Sequence, residues 1–522
     1  MHWADRIAKE IIDSGKFKPY WVDDMKTLSG YAHVGSIRGP LIHDLIYRAL
    51  KVEGEEVTYT FVFNDFDAID SLPPELKENF SKYMGVPLRI ALSPKSGFSS
   101  FAECFNHDFK KVFEVLGIKP RFLSSWDMYH QGKFDEVIKM ALDNFEAIQD
   151  IYKKISGSEK KEQGWLPFQV ICENCGKLGT TKVTAWDGEK VTYRCEPNLV
   201  TWAKGCGHGG KISPFGGTGK LPWKVDWPAH WKVLGVTIEG AGKDLASGGG
   251  AYDIAFEIAE KVFKYPKPYR IPYEHFLIGG RKMSTSKGVG LKANQWIEMV
   301  PPELGRFLFV KTDYKEALEF NPFGTMAIPD LFDDYDKSWK AYVDGEKEDL
   351  ARTFVLSQVK HGLPDRKKLF VPRFRDIANY LSQGLTEGEV KKKFPESPKD
   401  LISERIKYAK VWLEDYAPDD YKFEMTKEIP EAAKKLSSEQ KGYLKEVIKL
   451  FENGLNGDSL QIALYELSKR LKIKSSDAFA AIYLAFIGKT HGPRAGVLLN
   501  NFGKEKVIDR IVSIVEEGDK NG

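Results

Sequence analysis

The sequence predicts an α/β protein in which a doubly wound parallel sheet is split by an inserted cysteine-bearing module and followed by an all-α C-terminal third. Three observations carry this prediction. Helix and strand signals alternate through the first third and resume beyond residue 213. Four of the five cysteines crowd between Cys172 and Cys206, in a stretch of short strands and glycines. After about residue 345, strand and glycine signals thin out and charged amphipathic helices take over.

In chain order, Ile7, Ile11 and Ile12 mark one face of an opening helix that stops at Gly15. The loop Ser29–Gly35 leads into a second helix with apolar residues at Ile37, Leu41, Ile42, Leu45, Ile46 and Leu50. Val57–Phe63, β-branched and aromatic, predicts a buried strand ending in the polar turn Asn64–Asp67. Residues 166–212 carry no amphipathic helix and predict an inserted module. The α/β pattern is expected to return with a strand over Lys232–Ile238, the segment Gly240–Asp244, a helix near Gly250–Phe263, and a strand His275–Ile278 running into Gly279-Gly280-Arg281. Helices over Leu401–Leu413, Glu439–Leu450, Ser459–Leu471 and Asp477–Ile487 fill the C-terminal third. The expected segments are 1–165 and 213–295 for the two halves of the sheet domain, 166–212 for the insertion, 296–345 for a connector and 346–522 for the helical domain.

At 522 residues, 42% hydrophobic and 29% charged, the chain has an ordinary globular composition with room for several domains. A net charge of +3 announces neither DNA nor a membrane as partner, so any basic face must be local. The charged opening MHWADRIAKE lacks the apolar stretch of a signal peptide, and the longest apolar run, Ala478–Ile487, is about half a membrane span. A cytoplasmic protein is expected. In that reducing compartment clustered cysteines point to a metal before a disulfide.

Two motifs carry the chemistry. His33-Val34-Gly35-Ser36 stands at a helix start, where unpaired N–H groups and the positive end of the helix dipole suit phosphate, and Gly35 leaves a flat surface for a purine. Far downstream, Arg281-Lys282-Met283-Ser284-Thr285-Ser286-Lys287-Gly288 supplies cations and hydroxyls on a loop just past a strand, suited to closing over a polyphosphate. In this order, each at the edge of a predicted sheet, the pair resembles the HIGH and KMSKS signatures of class I aminoacyl-tRNA synthetases. Lys26–Gly39, Val225–Trp231, Gly242-Lys243-Asp244 and Gly492–Gly496 are most similar to the class I lysyl-tRNA synthetase family.

That resemblance implies a Rossmann-like catalytic domain, activation of L-lysine by ATP with Mg2+, transfer of lysine to the terminal adenosine of tRNA(Lys), and a C-terminal anticodon-binding domain. It implies that His33, Gly35 and Ser36 hold ATP, that Lys282, Met283, Ser284, Thr285, Ser286 and Lys287 form the mobile loop, and that Gly242 and Asp244 reach the ribose. Thr285 stands where the signature has its second lysine, a role that then falls to Lys287. Leu245 stands where the family often has His. Thr27 and Ser29 are expected to line the amino-acid pocket. A lysine ammonium also demands a carboxylate or an aromatic face, because an unpaired buried cation costs several kcal/mol. Asp226 and Trp227 are the candidates, with Asp65 and Glu239 behind them. The rival readings are a catalytically silent RNA-binding paralogue and a nucleotidylyltransferase of the same superfamily acting on a small molecule.

Cys172-Glu-Asn-Cys175, Cys195 and Cys206-Gly-His208 have the spacing of a closed structural zinc site. The expected ligands are Cys172, Cys175, Cys195 and Cys206, with His208 the rival for the fourth place. Relatives carry a second metal cluster in the segment that here reads Ser93–Phe105. With most of those ligands replaced and only Cys104 and His107 left, one zinc is expected. In the helical third, Lys441, Lys445, Lys449, Lys469, Arg470, Lys472, Lys474, Lys489 and Arg494 offer cations for phosphate, while Phe479 and Phe486 are expected in the core.

Overall fold

The computed structural model describes residues 1–157, 164–283, 290–421, 423, 425–452, 454–455 and 457–519. The chain divides into two compact units, Met1–Asn321 with Lys337–Arg366, and Pro322–Asp336 with Lys367–Gly522. Helix Ala327–Asp344 supplies residues to both, so the chain does not change units at residue 346 alone.

The first unit is built on a five-stranded parallel sheet: β1 (Tyr20–Lys26), β2 (Val57–Phe63), β3 (Arg121–Ser124), β4 (Ile238–Gly242) and β5 (Tyr269–Tyr273), in the order β5-β4-β1-β2-β3. β1 aligns Tyr20 with Val57 and Lys26 with Phe63 of β2, and Val22 with Ile238 of β4. Strand order reverses between β1 and β4, and in such sheets the ligand crevice lies outside the carboxyl ends at that reversal. Residues 27–36 and 243–244 therefore flank the expected crevice.

Helix α1 (Trp3–Ser14) buries Trp3, Ala4, Ile7, Ala8 and Ile11, leaves Ile12 half-buried, and ends at Gly15 with φ 64°. Helix α2 (Arg38–Val52) is buried on nearly every side. It is tied to the sheet by His43: Nε2 accepts from the Gly240 N–H at 2.9 Å, which leaves Nδ1–H to donate to the Gly39 carbonyl at 2.7 Å.

The expected strand over Lys232–Ile238 is corrected by the structure. Helix α3 (Trp223–Leu234) runs through Lys232, Gly235 caps it with φ 83°, and β4 begins only at Ile238. Trp227 and Trp231, one helical turn apart, both donate their indole N–H to Glu239, at 3.2 and 3.1 Å. Burying two indoles, each worth about 1.5–3 kcal/mol or more, overrides both the strand propensity of Val233 to Ile238 and the helix-breaking Pro228.

The insertion is a three-stranded antiparallel sheet, Thr181–Trp186, Val191–Cys195 and Gly209–Ile212, whose neck is closed by Gln169–Val170 pairing with Gly219–Lys220. Its Val170, Cys172, Val191 and Cys195 share one core with Val62, Phe66, Leu221 and Val225 of the sheet domain.

In the second unit, helices Lys399–Val411, Ser438–Glu452, Gly457–Arg470, Ser475–Ile487, Ala495–Phe502 and Lys504–Asp519 match the helical periodicity. Leu444, Leu464, Phe486, Leu499 and Ile511 form a core against which Phe479 packs. Gly496 lets two of these helices touch, since a Cβ there would fall 2.5 Å from the Gln461 nitrogen. Lys449 and Arg470 both meet Glu446, at 2.5 and 3.9 Å. Among the described residues, no helix is long and apolar enough to cross a membrane.

Candidate active site

After β1 the chain runs through Thr27 and Ser29 to His33, which caps the 3-10 turn Val34–Ile37 that continues directly into α2. The turn is held from outside by the segment just past the basic loop. The Val34 N–H donates to the Leu291 carbonyl and the Ala293 N–H to the Ala32 carbonyl, both at 2.8 Å, and His33 bridges Lys292. On the other side of that loop, Met283 is buried against Gly35. His33–Ser36 and Lys282-Met283, the described parts of the two sequence motifs, thus meet at the carboxyl ends of β1 and β4.

The crevice holds buried polar atoms without hydrogen-bond partners, His33 Nδ1 and Ser36 Oγ. Burial, then Lys26 and Lys282, push the His33 imidazole down to about 3, so it is neutral at pH 7. A neutral ring and a hydroxyl, both without a partner, can hydrogen-bond phosphate oxygens.

β4 ends at Gly242, which caps the short helical turn Lys243–Ala246. Asp244, on that turn, is exposed, with Leu245 beside it. Its Oδ1 accepts from His275 Nε2 at 3.0 Å and its Oδ2 pairs with the Lys282 ammonium. Lys282 is delivered by the hairpin β6 (Phe276–Ile278) and β7 (Arg281–Lys282), whose turn Gly279-Gly280 has φ 58° and 71°, the left-handed pair that two-residue hairpins favour. Ser284, Thr285, Ser286 and Lys287 lie outside the described residues.

Thr27 and Ser29 line a cleft of about 480 Å³ shared with Asp67, Asp70, Lys220 and Trp223. Thr27 donates to Asp67, and Lys220 reaches Asp67 at 2.5 Å. The other residues expected to meet an ammonium are spent inside the protein. Asp226 is buried on α3, accepting from Tyr129 Oη at 2.5 Å and pairing with Lys220 at 3.0 Å. Trp227 is packed against Trp231 and Tyr252. Glu239 takes both indole N–H groups, and its carboxyl is pushed well up by burial. Asp65 accepts from Ser124, Ser125 and the Trp126 N–H, at 2.7, 3.2 and 2.9 Å. Asp65 also lines a separate cleft of about 400 Å³ with Arg89, Glu103 and Ser124. Sequence reasoning passed over Asp67 and Asp70, although the polar turn after β2 was a readable signal for residues at the ligand-binding edge.

The Sγ atoms of Cys172, Cys175, Cys195 and Cys206 lie within 4.8 Å of one another, with Cys172–Cys206 at 3.6 Å and Cys175–Cys195 at 3.7 Å. Tetrahedral zinc with Zn–S of about 2.3 Å requires S···S of about 3.8 Å, so the cluster fits a closed four-thiolate site. His208 is outside this set; its carbonyl accepts from the Cys195 N–H at 2.7 Å. Cys104 is buried on the helix Phe101–Val115 and stands outside any such group among the described residues.

The family model described as tRNA synthetases class I (K) matches residues 1–360, and the anticodon binding domain model matches residues 399–515. Relatives named lysine--tRNA ligase align along nearly the whole chain. The one from Archaeoglobus fulgidus is 33% identical over 98% of this chain and 99% of its own, and that from Methanocaldococcus jannaschii is 33% identical with the same coverage. The one from Methanosphaera stadtmanae is 31% identical over 98% of each.

Proposed function

The chain belongs to the class I tRNA synthetases of the lysine (K) type, and from that membership we propose the reaction it performs and the residues that perform it. It is a lysine–tRNA ligase. The carboxylate of L-lysine attacks the α-phosphorus of ATP, the bond to the bridging oxygen breaks, and pyrophosphate leaves. The 2′-hydroxyl of the terminal adenosine of tRNA(Lys) then attacks the lysyl carbonyl and AMP departs.

The observation that carries the residue assignment is the shared crevice: the His33 turn and the Lys282-Met283 strand end meet at the point where strand order reverses. His33 and Ser36 hydrogen-bond phosphate oxygens, Gly35 gives Met283 room to pack onto the turn, and Asp244 accepts from the ribose hydroxyls. Lys282, with Lys287 in the place of the signature's second lysine, stabilises charge on the departing pyrophosphate. Such positioned charge is the main catalytic resource here, one donor being typically worth about 3 kcal/mol. Mg2+ brought with ATP supplies further neutralisation of the phosphates. The cleft beside Thr27 and Ser29 takes the lysyl side chain, with Asp70 as the carboxylate toward its ammonium, while Asp67 is held by Thr27 and Lys220. We assign the four cysteines to one structural zinc that fixes the insertion, residues 399–515 to the anticodon of tRNA(Lys), and the cytoplasm as the compartment.

Amino-acid-dependent exchange of pyrophosphate into ATP tests the reading across all the standard amino acids. Lysine alone should support exchange, and tRNA(Lys) should then be charged. Exchange without charging would reassign the chain to a small-molecule nucleotidylyltransferase, and no exchange at all to a silent RNA-binding paralogue.

A further inference from the structure

We propose that His275 is a positioning residue for nucleotide binding: it holds the Asp244 carboxylate in the orientation that receives the ribose while Lys282 moves to the phosphates. This rests on the reading that Asp244 contacts the ribose.

The sheet register brings the two residues together. Tyr273 of β5 pairs with Gly242 of β4, so Asp244 and His275, each two positions past that pair, emerge at the same edge. His275 Nε2 lies 3.0 Å from Asp244 Oδ1. A carboxylate oxygen only accepts, so Nε2 carries the proton and donates it. Lys282 takes the other oxygen.

The three groups are not equally free to move. The side chains of Asp244 and Lys282 are 57% and 54% exposed, whereas that of His275 is 25% exposed. The backbone around His275 is held on both sides. Its carbonyl accepts from the Leu318 N–H and the Glu274 N–H donates to the Tyr314 carbonyl, both at 2.9 Å, and β6 begins at the next residue. A second pair, Lys243 with Glu274 at 2.7 Å, links the same two chain segments. Lys282, in contrast, stands at the very end of its strand, where the basic loop begins.

The triphosphate offers Lys282 a more anionic partner than one carboxylate, so nucleotide binding draws it off Asp244. At that moment His275 is the donor that keeps the carboxylate from swinging into water. Its Nε2–H occupies one lone pair of one oxygen, which leaves the remaining lone pairs of both oxygens available to the ribose hydroxyls.

The test is steady-state pyrophosphate exchange by the full-length chain, using ATP, 2′-deoxy-ATP and 3′-deoxy-ATP, with wild type, His275→Ala, His275→Gln, Asp244→Asn and the double variant Asp244→Asn/His275→Ala. Losing a hydrogen bond to a charged group should raise the KM for ATP about tenfold in His275→Ala, with kcat and the KM for lysine within about twofold. His275→Gln, which keeps an N–H donor, should recover most of the loss. The penalty should shrink on the deoxy-nucleotide that lacks the hydroxyl Asp244 reads, and the double variant should be no worse than Asp244→Asn. An unchanged KM for ATP in His275→Ala, with a raised KM in Asp244→Asn, overturns the proposal and leaves the ribose role of Asp244 intact. An unchanged KM in Asp244→Asn overturns that ribose role, and the proposal falls with it. A fall in kcat together with a rise in both KM values, unrelieved by Gln, would make His275 merely structural and also overturn the proposal.

Discussion

Met283 lies so close to Gly35 that a Cβ added at the glycine would stand 2.9 Å from the Met283 methyl and 3.0 Å from His33 Nδ1. The root of the basic loop is therefore packed onto the nucleotide turn, and the glycine is the space that permits it. Gly35 does not have a left-handed φ, so Ala is allowed by the backbone and the cost is steric. Gly35→Ala should fold with a stability change of about 1 kcal/mol or less, because the Met283 methyl is the end of a flexible side chain. It should slow lysine-dependent pyrophosphate exchange by about tenfold or more, because it displaces either Met283 or His33. Exchange within twofold of wild type would show that the contact has no bearing on the reaction.

Replacing Lys282 and Lys287 together by Ala removes two cations from the loop. Adenylate formation, followed by single-turnover exchange, should fall by about 10² or more, the effect of losing one well-placed charge donor. Circular dichroism and thermal unfolding should be unchanged, since Lys282 is exposed and pairs only with exposed Asp244 among the described residues. Near-normal rates would refute the loop's assigned role.

The sequence signals that proved readable are those in which local chemistry alone sets the structure. The β-branched run Val57–Phe63, the amphipathic helices of the second unit and the spacing of the four cysteines need no distant partner to be recognised. The two motifs could be paired because each is a dense local cluster, and the sheet brings their described residues, His33–Ser36 and Lys282-Met283, to one edge. The partners of Asp226, Trp227 and Glu239 were not legible for the opposite reason. Lys220, Tyr129 and the paired indoles that satisfy them are set by tertiary packing, and Lys220 bridges to Asp67 across 153 residues. Gly235, left-handed at the end of α3, was the one local sign that Lys232 closes a helix and does not open a strand.

That network supports a stability prediction. Lys220 is buried, which by itself would lower its pKa, but Asp226 and Asp67 override burial and hold it charged. Asp226→Asn should cost about 3 kcal/mol in urea unfolding, the low end for breaking a buried pair, because Asp67 still faces the ammonium. The KM for lysine should stay within a few-fold of wild type. A variant of full stability with a KM raised a hundredfold would return Asp226 to the substrate pocket.

His33 supports a prediction about pH. Its folded pKa, about 3, lies below the unfolded value near 6.5, so the unfolded chain binds the proton more readily. The stability that His33 contributes is fully present above pH 6.5 and is lost progressively as pH falls from there toward 3. Other buried histidines, among them His230, are shifted down as well, so the contribution of His33 is read as a difference. His33→Asn should lose less stability than wild type between pH 7 and pH 5 in urea unfolding. Parallel losses in the two proteins would show that the His33 ring is not held neutral by burial.

The zinc assignment reaches the active site through the neck of the insertion. Gln169–Val170 pairs with Gly219–Lys220, Lys220 holds Asp67, and Asp67 accepts from Thr27 at the mouth of the cleft. Cys172 and Cys195 also sit in the same core as Val62 and Phe66. Loosening the thiolate cluster should therefore be felt by the amino acid more than by ATP. Cys172→Ser should lose zinc, measured by atomic emission against protein concentration, and become sensitive to limited proteolysis between residues 172 and 206. Its KM for lysine should rise several-fold while its KM for ATP stays near wild type. His208→Ala should keep a full complement of zinc, because its ring lies outside the four-sulfur set. Metal retained at full stoichiometry in Cys172→Ser, or lost in His208→Ala, would mean that the ligands have been chosen wrongly.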